Sequence, residues 1–262
     1  MNIFQKYIQA GNRLSSSLVI VVLVGVWELL ATGHAYNTTF IPAPSMIAIA
    51  LYQMAHEGTL FLDLAETIVR VAIGFGIGLL TGFLAGLLTG LVTRADNLVA
   101  PILQIARPIP ALAIVPLAIV WFGIGEGFKL FIIGWATFFP IWLGTNAGVR
   151  QVSKELLWTA ALLGADKKRQ VLEVVIPSSL SFVQNAARVS LGLGFAATVV
   201  AEMSGADAGL GYRIFVNHLV FRPDRMLASL ILVGIVGALI DRIYLSFGNW
   251  LFPWLRKSSR NN

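Results

Sequence analysis

The chain has 262 residues, of which 57% are hydrophobic and 12% charged, with a formal net charge of +6, no cysteine and three histidines. A soluble domain carries about 25% charged residues, so this chain owns too little polar surface to close a water-soluble core. Thiolate sites and disulfides are excluded, and His34, His56 and His218 are too dispersed to suggest a metal ligand set. The net charge says less about nucleic acid than about how Lys and Arg divide between loops.

Six apolar segments follow along the chain: Leu18 to Ala31, Val71 to Val92, Leu98 to Phe122, Phe128 to Ala147, Leu180 to Met203 and Met226 to Tyr244. Most approach the roughly 20 residues that a helix needs to cross a bilayer. The first is short and holds Glu28. Lys6, Arg13 and the apolar run also fit a signal peptide, but no convincing cleavage pattern follows, which favours an uncleaved anchor. These segments predict an all-α polytopic membrane protein, one domain over 1–262.

With residues 1–17 placed inside, eleven cations fall on the cytoplasmic side: Lys6, Arg13, Arg94, Arg150, Lys154, Lys167, Lys168, Arg169, Arg256, Lys257 and Arg260. Four fall outside: Lys129, Arg213, Arg222 and Arg225. That bias predicts both termini in the cytoplasm. It puts 33–66 outside, with an interfacial helix over Ser45 to His56 behind Pro42 and Pro44. Residues 245–262 form an interfacial and cytoplasmic tail, with Trp250 and Trp254 at headgroup level.

Within the second segment Gly74, Gly78, Gly82, Gly86 and Gly90 recur every four residues. Such a stripe lets another backbone approach closely, within the chain or from a second copy. The third carries Pro101, Pro108, Pro110 and Pro116, each removing a backbone donor. Broken backbone at membrane depth survives only in protein or beside a wet cavity, so a helix bending beside a transport path is expected. Arg107, Pro108, Pro110, Thr198 and Glu202 are the path candidates. Arg107 either snorkels to the inner interface or faces the interior, and Glu202 either lines the path or anchors the outer surface. Asp241 and Arg242 are placed at the inner end of the last span, and Arg188 is read as interfacial. No intramembrane charge pair is evident.

Between the fourth and fifth segments lies a polar island, residues 155–177, with two helical runs broken at Gly164-Ala165-Asp166 and a basic cluster at Lys167, Lys168 and Arg169. Its charge places it in the cytosol. It is either a partner-docking helix-turn-helix or a loop that only fixes topology. No Gly-x-x-x-x-Gly-Lys-Ser/Thr phosphate loop, Gly-x-Ser-x-Gly elbow or His-Glu-x-x-His occurs, so the chain is read as a non-enzyme without a nucleotide-hydrolysing motif.

Over most of its length the chain resembles the permease subunits of binding-protein-dependent ABC importers, within the nitrate, sulfonate, taurine and bicarbonate group. The island resembles that family's coupling motif, Glu-Ala-Ala, three residues, Gly, nine residues, Ile-x-Leu-Pro. Aligned on Gly164 it puts Trp158, Thr159 and Ala160 first, and Val174, Ile176 and Pro177 last; Trp158 in place of glutamate is a departure. Arg107-Pro108-Ile109-Pro110, Leu117 to Glu126, Leu191-Gly192-Leu193-Gly194 leading to Ala201-Glu202, and Gly209-Leu210-Gly211 are similar to the sulfonate and taurine branch.

The resemblance implies a type I importer permease fold of about six transmembrane helices in the cell inner (plasma) membrane. It implies a second permease copy, two ATPase subunits that carry ATP and Mg, and an extracytoplasmic substrate-binding protein, with no cofactor in this chain. Trp158, Thr159, Ala160, Gly164, Ala165, Asp166 and Pro177 would then form the ATPase-coupling segment. The substrate implied is a small anion such as a sulfonate, taurine, nitrate or bicarbonate. The alternative is an ATP-independent secondary transporter or channel.

Overall fold

The computed structural model describes residues 18–19, 21–33 and 38–251. The N-terminal 1–17 segment, most of the charged tail and Trp254 lie outside the described residues. Regular structure within them is helical: α1 Val21–Thr32, then α2 Pro44–His56, α3 Thr59–Leu91, α4 Thr93–Ala106, α5 Ala111–Phe122, α6 Glu126–Arg150, α7 Lys154–Leu162, α8 Lys167–Arg169, a π-helical turn Gln170–Val175, α9 Ile176–Met203, α10 Leu210–Leu219 and α11 Pro223–Leu251.

Four runs are long and apolar enough to cross a membrane: Thr59–Leu91, Glu126–Arg150, Lys167–Met203 and Pro223–Gly248. A fifth is obtained if α4 and α5, bent by 102°, count as one span. Three boundaries differ from the sequence reading. The second span starts at Thr59, taking in residues expected in the external loop, because Asp63, Thr67 and Arg70 find buried partners. The third is two helices rather than one bent helix, since Pro108 and Pro110 lack the N–H that a continuing helix needs and Pro110 itself is extended at φ -63 and ψ 140. The last runs on to Leu251 without stopping at Tyr244. Among the described residues the first apolar segment forms α1 over Val21–Thr32.

The chain forms two compact units. One comprises Met1–Phe61 and Arg213–Ile231, the other Leu62–Tyr212 and Leu232–Asn262. In the first, Glu28 accepts hydrogen bonds from the Ser45 backbone N–H at 3.0 Å and hydroxyl at 2.7 Å, which accounts for an acid within an apolar helix. Pro44 opens α2, where a missing N–H costs nothing, and Ile47, Ala50 and Met54 form its buried face. Arg225 grips Glu57 with two hydrogen bonds and holds that carboxyl below the usual carboxylate range.

In the second unit the glycine stripe of α3 lies against a matching four-residue row on α6. A Cβ at Gly74, Gly78, Gly82, Gly86 or Gly90 would collide with Ile133, Thr137, Ile141, Thr145 or Val149 in turn. Gly82 also faces the Phe138 carbonyl oxygen, and Gly86 that of Trp142. Away from that stripe α3 presents Ile73, Leu80, Leu84 and Leu88 outward. Helix α6 meets α9 equally closely, with Gly144 against Ala186 and Gly148 against Phe182 and Ser179. Helix α5 closes this core through Ile114, Val115 and Ala118, packed with Phe128, Ile132, Ala197 and Ala201.

Candidate functional site

Helix α7 has no buried residue, yet both of its ends are fixed. Ser153 caps its first turn by accepting from the Leu156 N–H. At its end the Gly164 N–H donates to the Ala161 carbonyl at 3.0 Å and the Ala165 N–H to the Ala160 carbonyl at 2.9 Å. This pairing needs a left-handed residue after the helix, and Gly164 supplies it at φ 84. Asp166 then caps the next turn by accepting from the Arg169 N–H at 2.8 Å, and the Gln170 side chain bonds the Ala165 carbonyl. Every hydrogen bond that shapes the turn is therefore local.

The outward side of this segment carries Leu156, Trp158, Leu162 and Leu163, the last two 88% and 84% exposed. Thr159 bonds back to the Glu155 carbonyl. The π-helical turn that follows has a cause in the sequence. Pro177 sits within one continuous helical run, lacks an N–H, and crowds the carbonyl four residues earlier, which a widened turn accommodates.

A second feature lies where α4 and α5 break. A cavity of about 480 Å³ is lined by Arg107, Ile109, Pro110 and Ala111 of the break, Trp135, Ala136, Phe139, Pro140 and Leu143 of α6, and Leu193, Ala196, Ala197 and Val200 of α9. Arg107 is its charged member and makes no ion pair among the described residues. The Trp135 indole N–H donates to the Ile109 carbonyl at 3.3 Å and so pins the break. Pro140 leaves the Ala136 carbonyl without its helical donor on the same wall. Phe131, Trp135 and Phe139 form a ladder of ring contacts along α6, spaced 6.1 and 4.9 Å between centroids. Pro108 is exposed at the break but does not line the cavity.

The other path candidates lie elsewhere. Thr198 is fully buried and bonds the Gly194 carbonyl. Glu202 is fully buried, so neither a path-lining nor a surface-anchor role describes its setting. It accepts from Arg70 at 3.0 Å, from Thr67 at 2.8 Å and from the Gly211 N–H at 2.8 Å. Arg70, itself 4% exposed, also bonds Glu66, both oxygens of Glu126 and the Ala208 carbonyl. Lys129 joins through Glu126 at 2.6 Å. A Cβ on Gly209 would strike the Glu202 carboxylate, so the loop can close over this cluster only with glycine there.

Two expectations about charge are thus corrected. Arg70–Glu202 and Arg188–Asp241 are ion pairs within candidate spans, the second two-pronged at 2.8 Å. Arg188 is 12 residues above the start of α9, about 18 Å along it, so it is not terminal. Partners 53 and 132 residues apart leave no local signal in the sequence. The aromatic row of Phe131, Trp135 and Phe139 does carry one, an i, i+4 spacing.

Residues 78–257 match the family model described as binding-protein-dependent transport system inner membrane component. The chain belongs to that family. It is similar to the taurine transport system permease protein TauC of Escherichia coli K12, 30% identical over 90% of this chain and 87% of that one. SsuC of the same organism, provisionally named an aliphatic sulfonates transport permease protein, is 34% identical over 87% of each. The nitrate import permease protein NrtB of a Synechocystis strain is 27% identical over 94% of this chain and 92% of that one. Among solved structures, a chain of the inward-facing MetNI methionine ABC transporter is similar in fold, with a TM-score of 0.56 at 23% identity over 79% of this chain and 98% of that one. As a member of this family the chain is a multi-pass inner-membrane permease of an ABC importer, with the type I importer fold.

Proposed function

We propose that this permease works as one of two identical copies that form the path of an ATP-driven importer for a small organic or inorganic anion. Two ATPase subunits bind ATP and Mg on the cytoplasmic side, an extracytoplasmic binding protein delivers the substrate, and both termini are cytoplasmic. The observation that carries the reading is α7, a helix capped at both ends with no buried residue and an apolar outward face. A lone chain gains nothing from fixing such a helix; a docking partner does. The segment 155–177, with Trp158, Thr159, Ala160, Gly164, Ala165, Asp166 and Pro177, meets the ATPase subunit. Closure of the ATPase dimer then moves α7 and switches access.

Names of the relatives favour a sulfonate, taurine or nitrate, with bicarbonate in the same chemical class. The Arg107 cavity suits an anion with a small apolar part, since one guanidinium stands among aromatic and aliphatic walls. Replacing Arg107 with Gln is expected to lower taurine uptake into proteoliposomes at least about tenfold, the worth of a charge-assisted hydrogen bond. Uptake equal to the parent would remove Arg107 from the path.

The docking assignment is tested at Gly164, where a Cβ meets nothing within 4 Å in this chain. Leucine there costs only about 1–2 kcal/mol of backbone strain, and asparagine less, because it tolerates the left-handed region. Both variants are expected to insert and fold, and both to lose the ATPase subunit on gentle-detergent purification. Retention of a stoichiometric ATPase subunit by both would sink the assignment.

A further inference from the structure

Two helices of this chain end in the same way. Helix α7 closes on Gly164, whereas α10 closes on Phe221, whose N–H donates to the His218 carbonyl at 3.2 Å while the Arg222 N–H donates to that of Asn217 at 2.8 Å. Phe221 has φ 52, and among the described residues it alone takes a positive φ without being glycine. Glycine is the residue this cap favours, and a bulky side chain there is an outlier. No packing among the described residues compensates, for Phe221 is 81% exposed, and Leu219 and Val220 beside it are 60% and 59% exposed. A strained, exposed aromatic that glycine would improve has its use outside the chain.

We propose that Phe221 is the apolar anchor by which the permease seats its soluble extracytoplasmic binding protein, an inference that rests on the importer reading above. The Lys and Arg bias puts this loop outside. Arg213, Arg222 and Arg225 occupy it, where that bias disfavours cations, against the acids Glu57 and Asp224. Arg222 keeps a half-exposed side chain while paired with Asp224. The partner this surface fits has an apolar pocket; exposed aromatics and arginines are what protein interfaces enrich. Burial in lipid needs apolar area but no set backbone angle, so glycine at 221 with Leu219 and Val220 would serve a membrane anchor equally well. A shape-specific pocket, by contrast, gains from a side chain held in one orientation beforehand.

The test uses the permease with its ATPase subunits in nanodiscs, titrated with the purified binding protein of the same system while ATP hydrolysis is followed. F221G is expected to raise the thermal midpoint of the complex and to raise the half-saturating binding-protein concentration at least about tenfold. F221N, which also tolerates the backbone, should weaken binding similarly, and F221Y should stay near the parent. Half-saturation unchanged in F221G and F221N would overturn the proposal. So would p-benzoylphenylalanine at position 221 cross-linking only to lipid. Failure of the parent chain to assemble with any ATPase subunit would instead overturn the importer reading, and this proposal with it.

Discussion

Replacing Arg70 with Met should cost about 3–5 kcal/mol, the penalty for leaving a buried charge without its partner. Glu202 is fully buried, and Arg70 is its ion-pair partner, so the carboxylate would be left among apolar neighbours with only the Thr67 hydroxyl and Gly211 N–H. Glu126 and Glu66 also lose the cation between them, though both are partly exposed and can turn to water. The expected result is a chain that inserts but loses its monodisperse peak well below the parent's temperature in fluorescence-detected size-exclusion chromatography. Adding Glu202→Gln should recover more than half of the loss. The amide oxygen still accepts from Gly211, and no unpaired charge remains. An Arg70→Met chain as heat-stable as the parent would show that the cluster contributes nothing to stability.

Gly86→Val on the stripe should be strongly damaging, while Gly76→Ala on the same helix should be harmless or slightly stabilising. The Cβ of residue 86 would fall against Thr145 and 2.8 Å from the Trp142 carbonyl oxygen, and backbone cannot swing aside as a side chain can. Overpacking usually costs about 1–3 kcal/mol, and a clash with backbone belongs at or above the top of that range. At Gly76 nothing lies within 4 Å, so alanine gains helix propensity without collision. The same thermal assay reads both. Equal midpoints for Gly86→Val and Gly76→Ala would mean that α3 does not depend on α6 for its close seat.

What could be read in advance follows from how local each signal is. The all-helical class and most spans came from runs of apolar residues, and the turn at Gly164 from the Gly164-Ala165-Asp166 break, all features within one or two turns. The break at Arg107 to Pro110 was visible as prolines, but not its 102° bend or the bond from Trp135 of α6 to the Ile109 carbonyl. Helix α3 starts ahead of its apolar run because Asp63 and Arg70, which carry no local sign of burial, meet the Gly209 N–H and the carboxylates of Glu126 and Glu202 from distant parts of the chain. Arg107 was legible as costly in lipid. The cavity beside it was not, because residues from three distant parts of the chain supply its walls.

The widened turn at Gln170–Val175 also sets a phase. One residue inserted into an α-helical run rotates everything beyond it by about 100°. A π-helical turn acts as such an insertion, so the direction in which α7 faces is indexed against the cavity-lining side of α9 as teeth are indexed on two gears. The chain between Asp166 and Pro177 is therefore not a tether whose length can drift. A gain or loss of one residue there would keep the helices and their caps, yet aim the apolar face of α7 at the wrong part of whatever it meets.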